Sequence, residues 1–195
     1  MTIHQVDSLL HWNYFLALEN DLGVCSRYVE FNDANNDVFS IEFAHILFAS
    51  SSEVDVVAKE LCKLINPSSR ASKIGTYFPI ITDRFPDFLE QTVFINKYGL
   101  NFQPWINWTS TETPFWWQSY NKVKHQRNDY FSRANFKNAL NNMGALLIIT
   151  IYYYAMKFGV ELLSEDDFLH TTMELRPRSN LLRLNGDYYL GSQFD

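Results

Sequence analysis

The stretch Met143-Gly144-Ala145-Leu146-Leu147-Ile148-Ile149-Thr150-Ile151-Tyr152-Tyr153-Tyr154-Ala155-Met156 decides the fold. Its 14 residues are too many for an ordinary strand. They fall short of the ~20 apolar residues that span a bilayer. Thr150 and three consecutive tyrosines are also poor choices for a lipid-facing surface. A central helix, buried on most sides and running from about Ala134 to Leu163, is the expectation, with no membrane partner.

Outward from that helix the chain reads as further long helices. Ser8 is a candidate N-cap, and Trp12, Phe15, Leu16, Leu22 and Val29 repeat at helical spacing from Leu9 to Phe31. Asn and Asp crowd residues 32–37 and predict a turn. A second helix is expected from Phe39 to Ile65, stopped by Asn66-Pro67, and a third segment from Ala71 to Arg84, stopped by Pro86. Alternating apolar residues on either side of Lys97 to Gly99 predict a hairpin within 92–108. Thr111 to Pro114 signals the start of a helix over Phe115 to Phe131. Asn185-Gly186 suits a type I′ turn between Leu181–Leu184 and Tyr188–Leu190. The expected architecture is mainly α: one domain over 1–195, a bundle of long antiparallel helices. It carries a small β-hairpin insertion at 92–108 and an extension, 164–195, with a short C-terminal hairpin.

Composition narrows the function classes. Apolar residues make up 47% and aromatics 16% of 195 residues, enough for a large core. Two cysteines, Cys25 and Cys62, sit in apolar helical patterns and are expected to be reduced. No secretory leader is evident, so the expected compartment is the cytoplasm. A phosphate-binding Gly-Lys-Ser/Thr loop, a dinucleotide fingerprint and zinc-ligand spacing are all missing from the sequence. The expectation is therefore of no cofactor and no metal. Asp166, Asp167 and His170 read as a charged helix start, and Ser50 to Ser52 as close helix packing.

The net charge of −6 argues against a protein that coats nucleic acid by bulk electrostatics. The charge is uneven, however. Residues 118–138 hold Lys122, Lys124, Arg127, Arg133 and Lys137 against Asp129 alone, a net +4, which leaves −10 for the rest. Within that segment Asn121, His125 and Asn128 are spaced to share one helix face, with Tyr120, Lys124 and Arg127 on the next. A histidine among cations can take a proton from a sugar hydroxyl while a cation steadies phosphate charge. RNA supplies both groups. The ordinary alternative is a histidine that hydrogen-bonds neighbouring helices. Glu19, Arg27 and Glu30 on the first helix, and Glu42, His45, Ser52 and Lys59 on the second, either pair structurally or line a cleft. In a cleft, Glu42 or Arg27 would face His125. The tryptophans at 105, 108, 116 and 117 fill a core or a dimer interface, or stack on bases.

The run Tyr120-Asn121-Lys122-Val123-Lys124-His125-Gln126-Arg127, followed by a long apolar helix, resembles the HEPN superfamily of small helical bundles. The resemblance spans Phe115 to Leu163. It implies a protein that binds RNA or a nucleotide, or a metal-independent endoribonuclease of bacterial defence or toxin–antitoxin systems. A homodimer and a cognate antitoxin or other protein partner are implied with it. By that resemblance His125 is the catalytic residue. Active members carry an arginine separated from the histidine by four to six residues. Here Tyr120, Ser119 and Gln118 hold those places. Lys122 or Lys124 must then act as the catalytic cation, with Asn121, Arg127, Glu42 and Arg27 binding substrate. Lysine lacks the two-pronged grip of arginine on phosphate. A member that binds without cutting fits equally, as does a non-catalytic helical protein that dimerises through its aromatic helices.

Overall fold

The computed structural model describes residues 8–162 and 164–184. Its described residues form seven α-helices and one three-stranded sheet. In chain order these are α1 (Leu10–Cys25), α2 (Ile41–Ile65), α3 (Ile74–Arg84), β1 (Val93–Ile95), β2 (Leu100–Phe102), α4 (Phe115–His125), α5 (Arg127–Tyr130), α6 (Phe136–Phe158), α7 (Glu165–Glu174) and β3 (Arg183–Leu184). The mainly helical class and the hairpin at 92–108 are as expected.

The central helix is α6. The Asn135 side chain caps its start by accepting from Asn138 N, and Gly159 ends it with φ +72°, where a side chain would be strained. By length and composition alone α6 is long and apolar enough to cross a membrane, yet 94% of that window is covered by the rest of the fold. One of its interior polar residues ties it across the core to α2. Asn142, fully buried, donates to Leu47 O at 3.0 Å and to Ser51 Oγ on α2. Ser50 and Ser51 are themselves buried, which lets α2 and α6 approach closely.

These two helices run in the same direction. Phe43 meets Phe136 at one end, and Leu47 and Ser51 meet Asn142 further along. The antiparallel arrangement expected of the long helices holds for α1. Its start, His11, pairs with Glu53 at 2.5 Å, while its end, Cys25, lies near Glu42 at the start of α2. A parallel pair needs a long connection. Residues 66–135 supply it, folding as α3, the hairpin and α4.

Strands β1 and β2 pair antiparallel with Val93 opposite Phe102, turning at Gly99 with φ +63°. The hairpin lies directly on α6 at Gly144. A Cβ there would stand 2.5 Å from the Phe102 ring and 3.3 Å from Val93 Cγ2. Gly144→Ala should therefore lower stability by about 1–2 kcal/mol, overpacking outweighing the ~1 kcal/mol that alanine adds to a helix. Phe102→Leu in the same chain should recover most of that loss in urea melts. A single variant more stable than the parent would show that the contact is loose.

The C-terminal strap is held from α1. Glu19 is buried, 3% exposed. Its carboxylate accepts from the Ser179 hydroxyl and from the backbone amides of Asn180 (3.0 Å), Leu181 (3.1 Å) and Leu182 (2.8 Å). Two turns earlier on the same face of α1, the Trp12 indole donates to Pro177 O at 2.8 Å. The strap ends as β3, paired with β1. The expected tail hairpin between Leu181–Leu184 and Tyr188–Leu190 depends on residues 188–190, which lie outside the described residues; of its first arm, Arg183–Leu184 pairs with β1.

Helix boundaries differ from expectation where tertiary contacts intervene. Helix α1 stops at Cys25 rather than Phe31, because Phe31 turns in to meet Tyr98 and Phe136. Ser40 caps α2 by accepting from Phe43 N, whereas Ser8 does not cap α1. Ser164 and Asp167 form a reciprocal cap on α7, the structural role expected of that acidic start. Both cysteines are free and buried. Burial pushes the Cys62 thiol up to about 12, and burial with the Glu42 and Asp21 carboxylates raises Cys25, so both are poor nucleophiles.

Candidate functional site

Helix α4 has two faces with opposite duties. Trp116, Ser119, Tyr120 and Val123, at i, i+3, i+4 and i+7, are buried. Tyr120 and Val123 pack with Ala44 and Leu47 of α2 and with Ala134. The outward face repeats the same spacing with Gln118, Asn121, Lys122 and His125. Together with Gln126 these line an open depression of about 390 Å³. His125 is exposed, with its ring in reach of solvent.

The helix ends at His125 rather than Phe131. Gln126 leaves helical geometry at φ −141°, ψ 49° and starts α5, which leads into a tight turn over Phe131 to Arg133. The physical cause lies downstream. Phe131 and Ala134 pack back on α2 and Val123, so the chain must reverse before α6. Asn128 consequently sits on a separate helix, and the expected i, i+4, i+7 face of Asn121, His125 and Asn128 is corrected to Gln118, Asn121, Lys122 and His125.

Of the residues singled out by sequence, His125, Lys122 and Asn121 come together in one depression. Lys124 turns toward α2, its ammonium donating to Tyr120 Oη at 3.2 Å. Arg127 lies over the Phe48 ring at 5.1 Å. Glu42 pairs instead with His45 at 3.7 Å, both well exposed. Arg27 lies in the turn after α1, and neither it nor Glu42 lines the depression. Gln118 and Gln126 are walls that sequence reasoning passed over. Gln118 was legible from its spacing of seven residues before His125.

The cations of the basic segment each stand over an aromatic ring. Lys122 stands 4.8 Å and Arg133 5.5 Å from the Tyr130 ring. Lys124 covers Tyr120 and Lys137 covers Phe115, at 5.3 and 5.4 Å. All five cations are exposed. Among the described residues none of the five makes an ion pair, whereas Lys59, Lys63 and Arg84 do. Such rings orient the cations but leave their charge unneutralised.

The tryptophans take the core reading. Trp105, Trp108 and Trp116 are at most 1% exposed, and the indoles of Trp116 and Trp105 donate to Pro104 O and Ala145 O. Base stacking and dimer contacts through these three are excluded by burial in their own fold; Trp117 is half-buried.

No protein-family model matches the chain, and no curated protein or solved structure is significantly similar to it.

Proposed function

We propose that this protein binds single-stranded RNA across the face formed by α4, α5 and the start of α6, and cleaves it at His125. The observation that carries this reading is the set of five exposed cations, none ion-paired among the described residues, on a protein of net charge −6. Unneutralised cations beside aromatic rings suit a flexible phosphate backbone. His125 shares its depression with Lys122. His125 would take the proton of a 2′-hydroxyl, whose oxygen attacks the neighbouring phosphorus. The proton returns to the departing 5′-oxygen, leaving a 2′,3′-cyclic phosphate, while Lys122 steadies the charge on phosphorus-bound oxygen. The resemblance to HEPN proteins agrees with this arrangement, apart from its missing arginine.

The test compares wild type with His125→Ala on labelled single-stranded RNA in the presence of a chelator. Cleavage by the variant should fall by about 10²–10⁴-fold, the usual contribution of a positioned acid–base group. Binding should stay within about twofold, because the phosphate contacts that dominate RNA affinity remain. Undiminished cleavage would remove His125 from catalysis. Binding without cleavage by wild type would leave an RNA-binding protein.

A second reading, a non-catalytic assembly protein, is favoured by Phe39 and Ile41, which are 50% and 62% exposed beside the Phe131 turn. Its interface would involve that strip rather than Trp116. Sedimentation of Phe39→Ser would separate the two readings, since RNA binding does not need Phe39.

A further inference from the structure

A cavity of about 270 Å³ lies between the β1–β2 hairpin and the start of α6, outside the His125 depression. We infer that it is a nucleobase pocket, taking a base with an exocyclic amine, adenine foremost, from an RNA strand held on the basic face. The inference rests on the RNA reading above and adds base selectivity to it.

The volume is ample for one base and lies just below the usual range of small-molecule sites. Two of its walls, Phe102 and Phe115, are half-buried rings, the surfaces on which unpaired bases stack. Phe102 is held in place by its contact with Gly144.

The polar groups favour a donor on the ligand. Asn141 is 9% exposed, and its amide nitrogen donates to Lys137 O at 2.9 Å. That bond uses the amide nitrogen and leaves Oδ1 to accept from a ligand. Asn101, exposed on β2, makes no side-chain hydrogen bond among the described residues. A free amide presents the donor–acceptor pair that matches adenine N7 and N6. At the rim, Asp33 accepts from the Asn36 amide at 3.3 Å and adds a further acceptor. Asn141 Oδ1 and the Asp33 carboxylate can accept from an exocyclic amine, which adenine and cytosine carry and uracil lacks.

The pocket also connects to the proposed cleavage site. Lys137, on its wall, supplies a cation for the phosphate of the bound nucleotide. Phe115, Lys122 and His125 lie on one side of α4, and ten residues of helix separate the pocket from His125 by about 15 Å. A single strand can reach both.

The experiment is fluorescence anisotropy with labelled oligo(A), oligo(C) and oligo(U) RNA of about 12 nucleotides, within the usual site size for single strands. Wild type should bind oligo(A) at least about tenfold tighter than oligo(U), with oligo(C) between, as expected for one well-made amide–base pair. Asn101→Ala with Asn141→Leu should erase the preference and leave oligo(U) affinity unchanged. Asn101→Ala alone, on an exposed strand position, should reduce the preference without risk to folding. Equal binding of oligo(A) and oligo(U) by wild type, or a preference that survives both variants, overturns the pocket while the RNA reading stands. If no RNA binds, the RNA reading fails, and NMR titration with adenosine and uridine 5′-monophosphates decides the pocket. Shifts at Asn101 and Asn141 with the adenosine compound alone support it, and their absence overturns it.

Discussion

Glu19→Ala should destabilise the protein by about 3–5 kcal/mol, the largest loss expected from any single polar substitution in this fold. The carboxylate holds three backbone amides and the Ser179 hydroxyl at once. Removing it leaves three backbone amides without their acceptor, while the Ser179 hydroxyl keeps Leu182 O. A domain of this kind has only about 5–15 kcal/mol of total stability, so the variant will be marginal. In urea the midpoint should fall by about 2 M at an ordinary slope for a small protein. Glu19→Gln keeps one acceptor oxygen and should lose roughly half as much. Hydrogen exchange adds a local readout: the amides of Asn180, Leu181 and Leu182 should lose protection first. A midpoint for Glu19→Ala within about 0.3 M of wild type would show that the strap is held by other means.

The second large effect concerns binding. Lys122→Gln, Arg127→Gln and Arg133→Gln together should weaken single-stranded RNA affinity by about a hundredfold at low salt. The slope of log affinity against log salt should become shallower by about 2, since each phosphate contact contributes about 0.7 for a single strand. The triple variant should stay folded while losing up to about 1.5–3 kcal/mol, since three exposed cation–ring contacts at about 0.5–1 kcal/mol each are removed. Unchanged affinity with an unchanged salt slope in a folded triple variant would move RNA, if it binds, to some other surface.

How much of this was legible differs from element to element. The central helix was plain from the apolar run 143–156, and the hairpin from alternation around Lys97 to Gly99, because both signals are local. The reduced cysteines and the closeness implied by Ser50 and Ser51 also followed from residue type. The end of α4 was not legible. Neither glycine nor proline marks Gln126, and the reversal comes from Phe131 and Ala134 seeking α2. Nor was the role of Glu19. The sequence leaves Glu19 to pair with a side chain of another helix or to line a cleft, whereas its partners include three backbone amides, which carry no side-chain signature. The basic segment around His125 was visible as composition. Its division into an outward face and a face turned to Tyr120 and Phe48 required the packing of α4 on α2.

The Glu19 clamp also bears on how the chain is made. Its ligands lie 160 to 163 positions downstream, and Asn142 waits 91 positions after Ser51. Contacts so distant along the chain slow folding, since large loops must close before any reward is collected. A ribosome would deliver the first two long helices well before their companions exist. Until synthesis passes Leu182, α1 would carry an open carboxylate and an uncovered apolar stripe, a span in which chaperones have something to hold.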